Sequence, residues 1–454
     1  MYMLKEIFTQ AESKLKIDPN NVHKTLGRYI LADGLPIVFD QANSHGAYIR
    51  DAKTNKDYLD LFSFFASQPI GFNHPKLNTK AFKEKLGEIA IHRPSLSDIY
   101  TQDFAAAIET FDKIANHQKA FKHFFFIEGG TLGVENALKV AFDWKVRKNQ
   151  AKGISGEVGS KVIHFKKAFH GRSGYTLSLT NTHDPKKYMN FPKFTDWPRI
   201  TPPAIIFPIN EDNIQTCIKN EQQALNEIKQ ALNQYPNDIA ALIIEPIQGE
   251  GGDNHFRDEF FIALRKLADE HEFMLIFDEV QTGLGLTGKM WCFEHYSIKP
   301  DIIAFGKKAQ VAGCAVSSRV DEVKDNVFEL SSRINSTWGS NLVDLMRMQR
   351  MLEIIDEDHL LDNVNSMGQY FMTQLQDFVD ASPYLSNLRG RGLMIAFDFK
   401  DTEQRDAFRK HVFSQGAIML GCGEKSVRLR CHLDFTQQNA DHALQILKKA
   451  HDML

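Results

Sequence analysis

The chain has 454 residues, a length that suggests two or three structural units and a core large enough to need neither disulfide nor metal. Lysine and arginine number 54 against 57 aspartates and glutamates, a net charge of −3 in a chain 43% apolar and 24% charged, which gives no electrostatic ground for a nucleic acid or an anionic membrane as partner. The five cysteines, Cys217, Cys292, Cys314, Cys422 and Cys431, include no C-x-x-C pair, so neither a zinc site nor a disulfide framework is expected.

From the N-terminus to about Leu26 the sequence reads as a polar arm or surface helix. Lys5 and Glu6 interrupt the apolar core that a secretory signal would need, and no apolar run nears the ~20 residues of a membrane helix, so a cytoplasmic protein is expected. Residues 36–39 and 47–49 are short apolar segments of β character, with a turn over 51–56. Between about 100 and 310, strands alternate with helices. Strands are predicted at 124–127, 162–165, 239–244, 273–277 and 302–305. A helix runs from 131 to about 148 with Leu132, Leu138, Val140 and Trp144 among its apolar positions. Another spans 258–270, with Phe261, Leu264, Leu267 and Ala268 at helical spacing. Near-continuous apolar strands separated by helices imply an α/β fold with a mainly parallel sheet covered on both faces. Helices at 346–357, 363–380 and 439–452 and a β segment at 393–399 complete the chain. The expected division is residues 1–70, an arm and part of a small domain; 71–345, a large domain; and 346–454, the rest of the small domain.

Ligands of parallel α/β sheets sit at the carboxyl ends of strands, and four such ends carry chemistry. Glu128-Gly-Gly-Thr131 leads from a strand into a helix, whose free N–H groups and dipole suit a phosphate, although such a turn is often only a tight connection. Phe277-Asp-Glu-Val-Gln281 ends a very apolar strand with two carboxylates, which in isolation read as surface acids. In Ile302-Ile-Ala-Phe-Gly-Lys-Lys308 a lysine follows a strand and a glycine. It is ordinarily a solvated loop residue, but among apolar groups and other cations its pKa falls enough for attack on an aldehyde. Ala168-Phe-His-Gly-Arg172 sets an aromatic and two cations at a fourth strand end. Gly283-Leu-Gly-Leu-Thr-Gly288 matches the dinucleotide glycine pattern, but five residues separate it from the strand, and Asp301 precedes the next strand instead of ending it.

In order, the Gly-Gly helix start, F-H-G-R, E-P-x-Q-G-E-G-G over 245–252, F-D-E-V-Q-T-G, D-x-x-x-F-G-K and N-S-T-W-G-S-N over 335–341 resemble the class III pyridoxal-phosphate (PLP) aminotransferases of fold type I. The likeness runs from about residue 25 to near the C-terminus. It implies a mainly parallel seven-stranded sheet in the large domain and a smaller α+β domain drawn from both chain ends. By that resemblance Lys307, six residues after Asp301, is the imine-forming lysine and the acid/base of the proton transfer, and Lys308 is not. Asp278 pairs with the pyridine nitrogen, keeping the ring an electron sink. Gln281 approaches the phenolate oxygen, while Phe169 and Val280 pack on the two ring faces. Gly130 and Thr131 hold the phosphate, and Thr337 reaches it from the neighbouring subunit of a homodimer with a shared active site.

Within the family, Glu128-Gly-Gly, Phe64-Phe-Ala-Ser67, the 168–178 segment and Phe305-Gly-Lys-Lys-Ala-Gln310 are most similar to enzymes that move the terminal amine of L-lysine to 2-oxoglutarate. The resemblance then gives Arg172 the lysine carboxylate and the distal carboxylate of 2-oxoglutarate. Arg428 takes the carboxylate nearer the cofactor, and Glu245 neutralises Arg428 by ion pairing when lysine is bound; a static salt bridge is the plainer reading of such a pair. Cys431-His432 stand where the family usually has prolines, and Arg430 offers a second candidate for the role of Arg428. Phe64, Phe65, Asn335 and Ser336 are the expected pocket walls. The alternatives are an ω-aminotransferase acting on ornithine, 4-aminobutyrate or a diamine; an aminomutase or racemase; and a nicotinamide oxidoreductase using the 283–288 glycines.

Overall fold

A computed structural model describes residues 16–454, so the first part of the expected N-terminal arm lies outside the described residues. Strands β1 (Tyr48–Arg50) and β2 (Asp57–Asp60) form an antiparallel pair around the expected 51–56 turn. The apolar segment at 36–39 makes only an isolated bridge, Phe39 to Asp51. There follow β3 (His123–Ile127), β4 (Lys161–Phe165), β5 (Arg199–Ile200), β6 (Ile239–Ile244), the small hairpin of β7 (Ile247–Gln248) and β8 (Asn254–His255), β9 (Met274–Asp278), β10 (Ile302–Phe305) and β11 (Ala312–Val316).

Seven of these make one sheet in the order β3-β11-β10-β9-β6-β4-β5. The run from β10 to β5 is parallel, and β11 is antiparallel to both β10 and β3. Both faces are covered, as the apolar runs required. Because strand side chains alternate in direction, Leu242, Ile244, Leu275, Phe277, Ile303 and Phe305 join one core with Phe261, Leu264 and Leu267 of helix Asp258–Glu270. Their neighbours Ala241, Ile243, Met274, Ile276, Ile302 and Ala304 join a second core with Val134, Leu138, Val140 and Trp144 of helix Gly130–Ala151.

Beyond helices Leu342–Glu357 and Leu360–Asp380 come β12 (Ser386–Arg391), β13 (Met394–Asp398), helix Thr402–Ser414, β14 (Ala417–Ile418), β15 (Leu420–Cys422), β16 (Ser426–Arg430) and helix Gln437–His451. β14 lies parallel to β2, so the two chain ends share a three-stranded sheet. The order β12-β13-β16-β15 makes a four-stranded antiparallel sheet, in which Arg428 stands opposite Ala396 and Leu420. No helix among the described residues is long and apolar enough to cross a membrane.

Candidate active site

The carboxyl ends of β3, β4, β6, β9 and β10 converge on a small, largely enclosed cavity lined by Gly130, Thr131, Phe169, His170, Gly171, Glu245, Glu250, Asp278, Val280, Gln281 and Lys307. After β3, Gly129 takes φ +90° and caps a 22-residue helix whose first two N–H groups, those of Gly130 and Thr131, are left for an anion. Two glycines keep this cup open. A Cβ on Gly130 would lie 2.8 Å from Val280 Cγ1, and one on Gly171, where φ is +131°, would lie 1.8 Å from Thr131 Oγ1.

Asp278, the last residue of β9, is buried, and its two oxygens have separate partners. His170 Nδ1–H donates to Oδ2 at 2.7 Å, and the Val280 N–H donates to Oδ1 at 3.1 Å. Lys307 begins a short 3₁₀ turn at φ +51°, and its carbonyl accepts from the Gln310 N–H at 2.8 Å. Its amine makes no hydrogen bond to any described residue. Burial, and next the charge of Arg428, lowers the Lys307 pKa to about 8, while Asp278 and Glu245 pull the other way. Lys308 turns away, donating from Nζ to the Gln281 carbonyl at 3.1 Å in a buried position.

The ion pair expected between Glu245 and Arg428 is not made. Each Glu245 oxygen instead accepts a main-chain donor, the N–H of Phe169 at 3.0 Å and that of Gly249 at 3.1 Å. Burial raises its pKa to about 7, Asp278 adding to the effect against the opposing pull of His170. Arg428 pairs instead with Glu250, Nη2 to Oε2, at 2.6 Å. The main chain selects this partner: the Glu250 carbonyl accepts the Gly423 N–H at 2.8 Å, which draws Glu250 to the hairpin leading into β16. Glu250 also holds Lys187 through its other oxygen. Burial alone would raise the Glu250 pKa, but Arg428 and Lys187 outweigh it and hold the carboxyl below its usual range. Arg430 is committed elsewhere, bidentate to Asp253 at 2.8 and 2.5 Å and bonded to the Gln281 side chain.

Of the expected residues, Gly130, Thr131, Phe169, Glu245, Asp278, Val280, Gln281 and Lys307 line the cavity, and Arg428 reaches it through Gln281 and Glu250. Arg172 is exposed, its guanidinium 5.7 Å from the centre of the Phe169 ring, and no carboxylate among the described residues pairs with it. Asn335 and Thr337 are exposed and do not enter this cavity within the chain; Asn335 lines a separate one with Leu96, Tyr100 and Phe125. Phe64 lines another with Phe39 and Phe72, and Phe65 is half exposed. Two residues with no assigned role in the sequence also line the cavity of Lys307: His170, one of the two cations of the 168–172 segment, and Glu250, inside the 245–252 motif. The signal for His170 was an imidazole one residue after the stacking aromatic, at the end of a buried strand.

The residues suit PLP. The glycine cup and helix terminus fit a phosphate, the buried Asp278 carboxylate fits a protonated pyridine nitrogen, and the Lys307 amine of lowered pKa fits an aldehyde. Fold and site together define a PLP-dependent transferase of fold type I. The chain belongs to the class III aminotransferases: the profile of that family, Aminotransferase class-III, matches residues 30–451. It is 46% identical over 434 residues, 95% of each chain, to the L-lysine-epsilon aminotransferase of Mycobacterium tuberculosis, and 43% identical over 435 residues, again 95% of each, to that of Amycolatopsis lactamdurans. The solved lysine aminotransferase from M. tuberculosis in the internal aldimine form superposes with a TM-score of 0.93 at 46% identity, covering 96% of this chain and all of that one.

Proposed function

We propose that the enzyme transfers the terminal amine of L-lysine to 2-oxoglutarate, giving 2-aminoadipate 6-semialdehyde and L-glutamate. The observation that carries this reading is the neutralised arginine: Glu250 holds Arg428 at 2.6 Å in the cavity wall while Arg172 stands unpaired at the mouth. Lysine brings no carboxylate near its reacting amine, and a bare arginine there would be an uncompensated buried charge. Its one carboxylate, at the far end, suits the exposed fork of Arg172. 2-Oxoglutarate has a carboxylate at each end, and the one beside its ketone calls on Arg428. Glu250 then has Lys187 as a waiting partner, so releasing the arginine leaves no carboxylate stranded.

When bound, PLP supplies an aldehyde that condenses with amines and a ring that withdraws electrons from the adjacent carbon. Gly130 and Thr131 would hold its phosphate, Asp278, oriented by His170, would keep its nitrogen protonated, and Phe169 and Val280 would confine the ring. Lys307 Nζ, of lowered pKa and free of any described hydrogen-bond partner, would take and return the proton of the substrate carbon bearing the amine. Thr337 and Asn335, exposed within one chain, serve the site of a second copy in a homodimer. The unpaired, buried cysteines accord with a reducing compartment, and we place the enzyme in the cytoplasm.

Lysine is preferred to 4-aminobutyrate as donor because relatives named for lysine are 42–46% identical, against 35% for the 4-aminobutyrate aminotransferase of Dictyostelium discoideum. The test is glutamate release from lysine and 2-oxoglutarate, with Lys307→Ala as the inactive control. Glutamate formed from ornithine and not from lysine would overturn the choice of donor.

A further inference from the structure

We infer that Arg430, pinned by Asp253, is a positioning residue that fixes which end of the Gln281 amide faces the cavity, making Gln281 a hydrogen-bond donor to the cofactor's phenolate oxygen. The inference rests on the PLP reading above and assigns a task to an arginine that touches neither cofactor nor substrate.

An arginine side chain has N–H donors and no acceptor. Arg430 directs two of its donors, Nε at 3.0 Å and Nη2 at 2.9 Å, onto Gln281 Oε1, and Arg428 Nη1 stands 3.5 Å from the same oxygen. A Gln281 turned the other way would set its NH₂ against three N–H groups. The amide carbonyl therefore faces the arginines, and its NH₂, bonded to no described residue, is the end left for the cavity that Gln281 lines. Nothing in this arrangement is free to turn. The Arg430 guanidinium is clamped by both Asp253 oxygens, with both residues at most 1% exposed. The Gln281 carbonyl of the main chain is held by Lys308, and Gly249 packs so closely that a Cβ there would lie 2.4 Å from Oε1.

The arrangement also explains why two arginines stand two residues apart on β16. Arg428 shares its guanidinium between Glu250 and a substrate carboxylate, so its long contact to Gln281 is the one that changes between half-reactions. The two bonds from Arg430 persist in both and keep the amide from flipping when Arg428 leaves. A plain Arg430–Asp253 salt bridge would stabilise the fold without any effect on the bound cofactor, which separates the two readings.

A donor to the phenolate oxygen stabilises its negative charge and so lowers the pKa at which the Lys307 nitrogen of the holoenzyme loses its proton. A hydrogen bond to a charged group is worth enough to move that pKa by about one unit, tenfold in proton affinity. The readout is the pH titration of the visible absorption band in wild type, Gln281→Met, Arg430→Met and the double variant. The expected result is an upward shift of about one unit in each single variant, with the double variant shifted no further than the larger single. Arg430→Met strands a buried carboxylate and risks the fold. Gln281→Glu avoids this, since it keeps an acceptor for Arg430 while removing the N–H, and it too must shift upward. An unchanged titration in Arg430→Met or Gln281→Glu, or additive shifts in the double variant, would overturn the inference. A wild-type protein that gained no visible band with PLP would overturn the cofactor reading itself, and this inference with it.

Discussion

Lys307 is set up as a nucleophile before any cofactor arrives. Burial and Arg428 hold its pKa at about 8, so the neutral amine becomes the main form as pH rises through about 8 instead of the usual lysine value of 10.5. The rate at which cofactor-free enzyme takes up PLP should rise with a midpoint near that value. In Arg428→Met, where a repelling cation is gone, the midpoint should move upward; a midpoint that stayed put or fell would exclude that cation as a cause. The cup beside it leaves no room for a side chain at Gly171. Alanine there would sit 1.8 Å from Thr131 Oγ1 at φ +131°, a strained conformation costing about 1–3 kcal/mol in its own right. The strain and the displaced hydroxyl should weaken PLP binding at least about tenfold. Equilibrium titration of the cofactor-free variant measures this, and unchanged affinity would remove Thr131 from the phosphate site.

Among the elements, the turn after β2 runs through four consecutive non-glycine residues of positive φ. Ser63, Phe64, Phe65 and Ala66 all have φ between 41° and 65°, one turn of left-handed helix built without glycine. Asp60 Oδ1 accepts the N–H groups of Phe62 and Ser63 at 2.9 and 2.7 Å, fixing the start of the turn. At its other end the Ser67 carbonyl accepts from Gln310 Nε2 at 2.8 Å, which ties the turn to the loop carrying Lys307. The remaining Asp60 oxygen lies 3.2 Å from His432 Nε2, a fully buried ion pair. Burial would lower the His432 pKa, but Asp60, aided by Asp434, raises it above 6.5. Stability from a raised histidine pKa is fully present below the unfolded value and is lost as pH rises through the folded one. Thermal melting should therefore show His432→Gln well below wild type near pH 6 and closing on it in alkaline buffer; a gap that widened with pH would refute the pairing. How far the sequence disclosed its elements follows the same local physics. β6, β10 and helix Asp258–Glu270 begin and end where the apolar patterns do, because burial on both faces or one face writes itself into the side chains. β11 escaped notice because Ala312-Gly-Cys-Ala-Val316 must be small: the overlying helix comes so close that a Cβ on Gly133 would lie 2.7 Å from the Gly313 carbonyl. That Lys307 and Asp278 line one cavity could be read from strand ends. The choice of Glu250 over Glu245 could not, since both stand in one motif and a contact to the distant Gly423 decides between them.

At the scale of the whole molecule, the proposed homodimer is tested at the loop of Asn335 and Thr337, which is exposed within one chain. It lies beside a cavity lined by Leu96, Tyr100, Phe124 and Ile334, and Tyr100, at the cavity edge, is one of the most exposed aromatics among the described residues. Apolar surface of this kind is what a subunit interface would cover. Arg93 links that loop to the phosphate cup of its own chain, stacking 4.1 Å over Trp338 and pairing with Glu128 at 2.6 Å. Each subunit would thus present Thr337 outward from a frame shared with its own site. Tyr100→Glu, which buries a charge if this face is covered, should release monomers visible by sedimentation and weaken PLP binding with them. Mixed dimers decide whether Thr337 acts across the interface. Thr337→Ala would have a weakened phosphate contact in both sites, and Lys307→Ala would lack the reacting amine in both. Dissociating and reassociating an equal mixture places Lys307 of one subunit opposite an intact Thr337 of the other, so that about a quarter of all sites regain wild-type PLP affinity if Thr337 serves its neighbour. If Thr337 served its own chain, no mixture would hold a wild-type site, and the cofactor titration of the mixture would be the plain sum of the two variants.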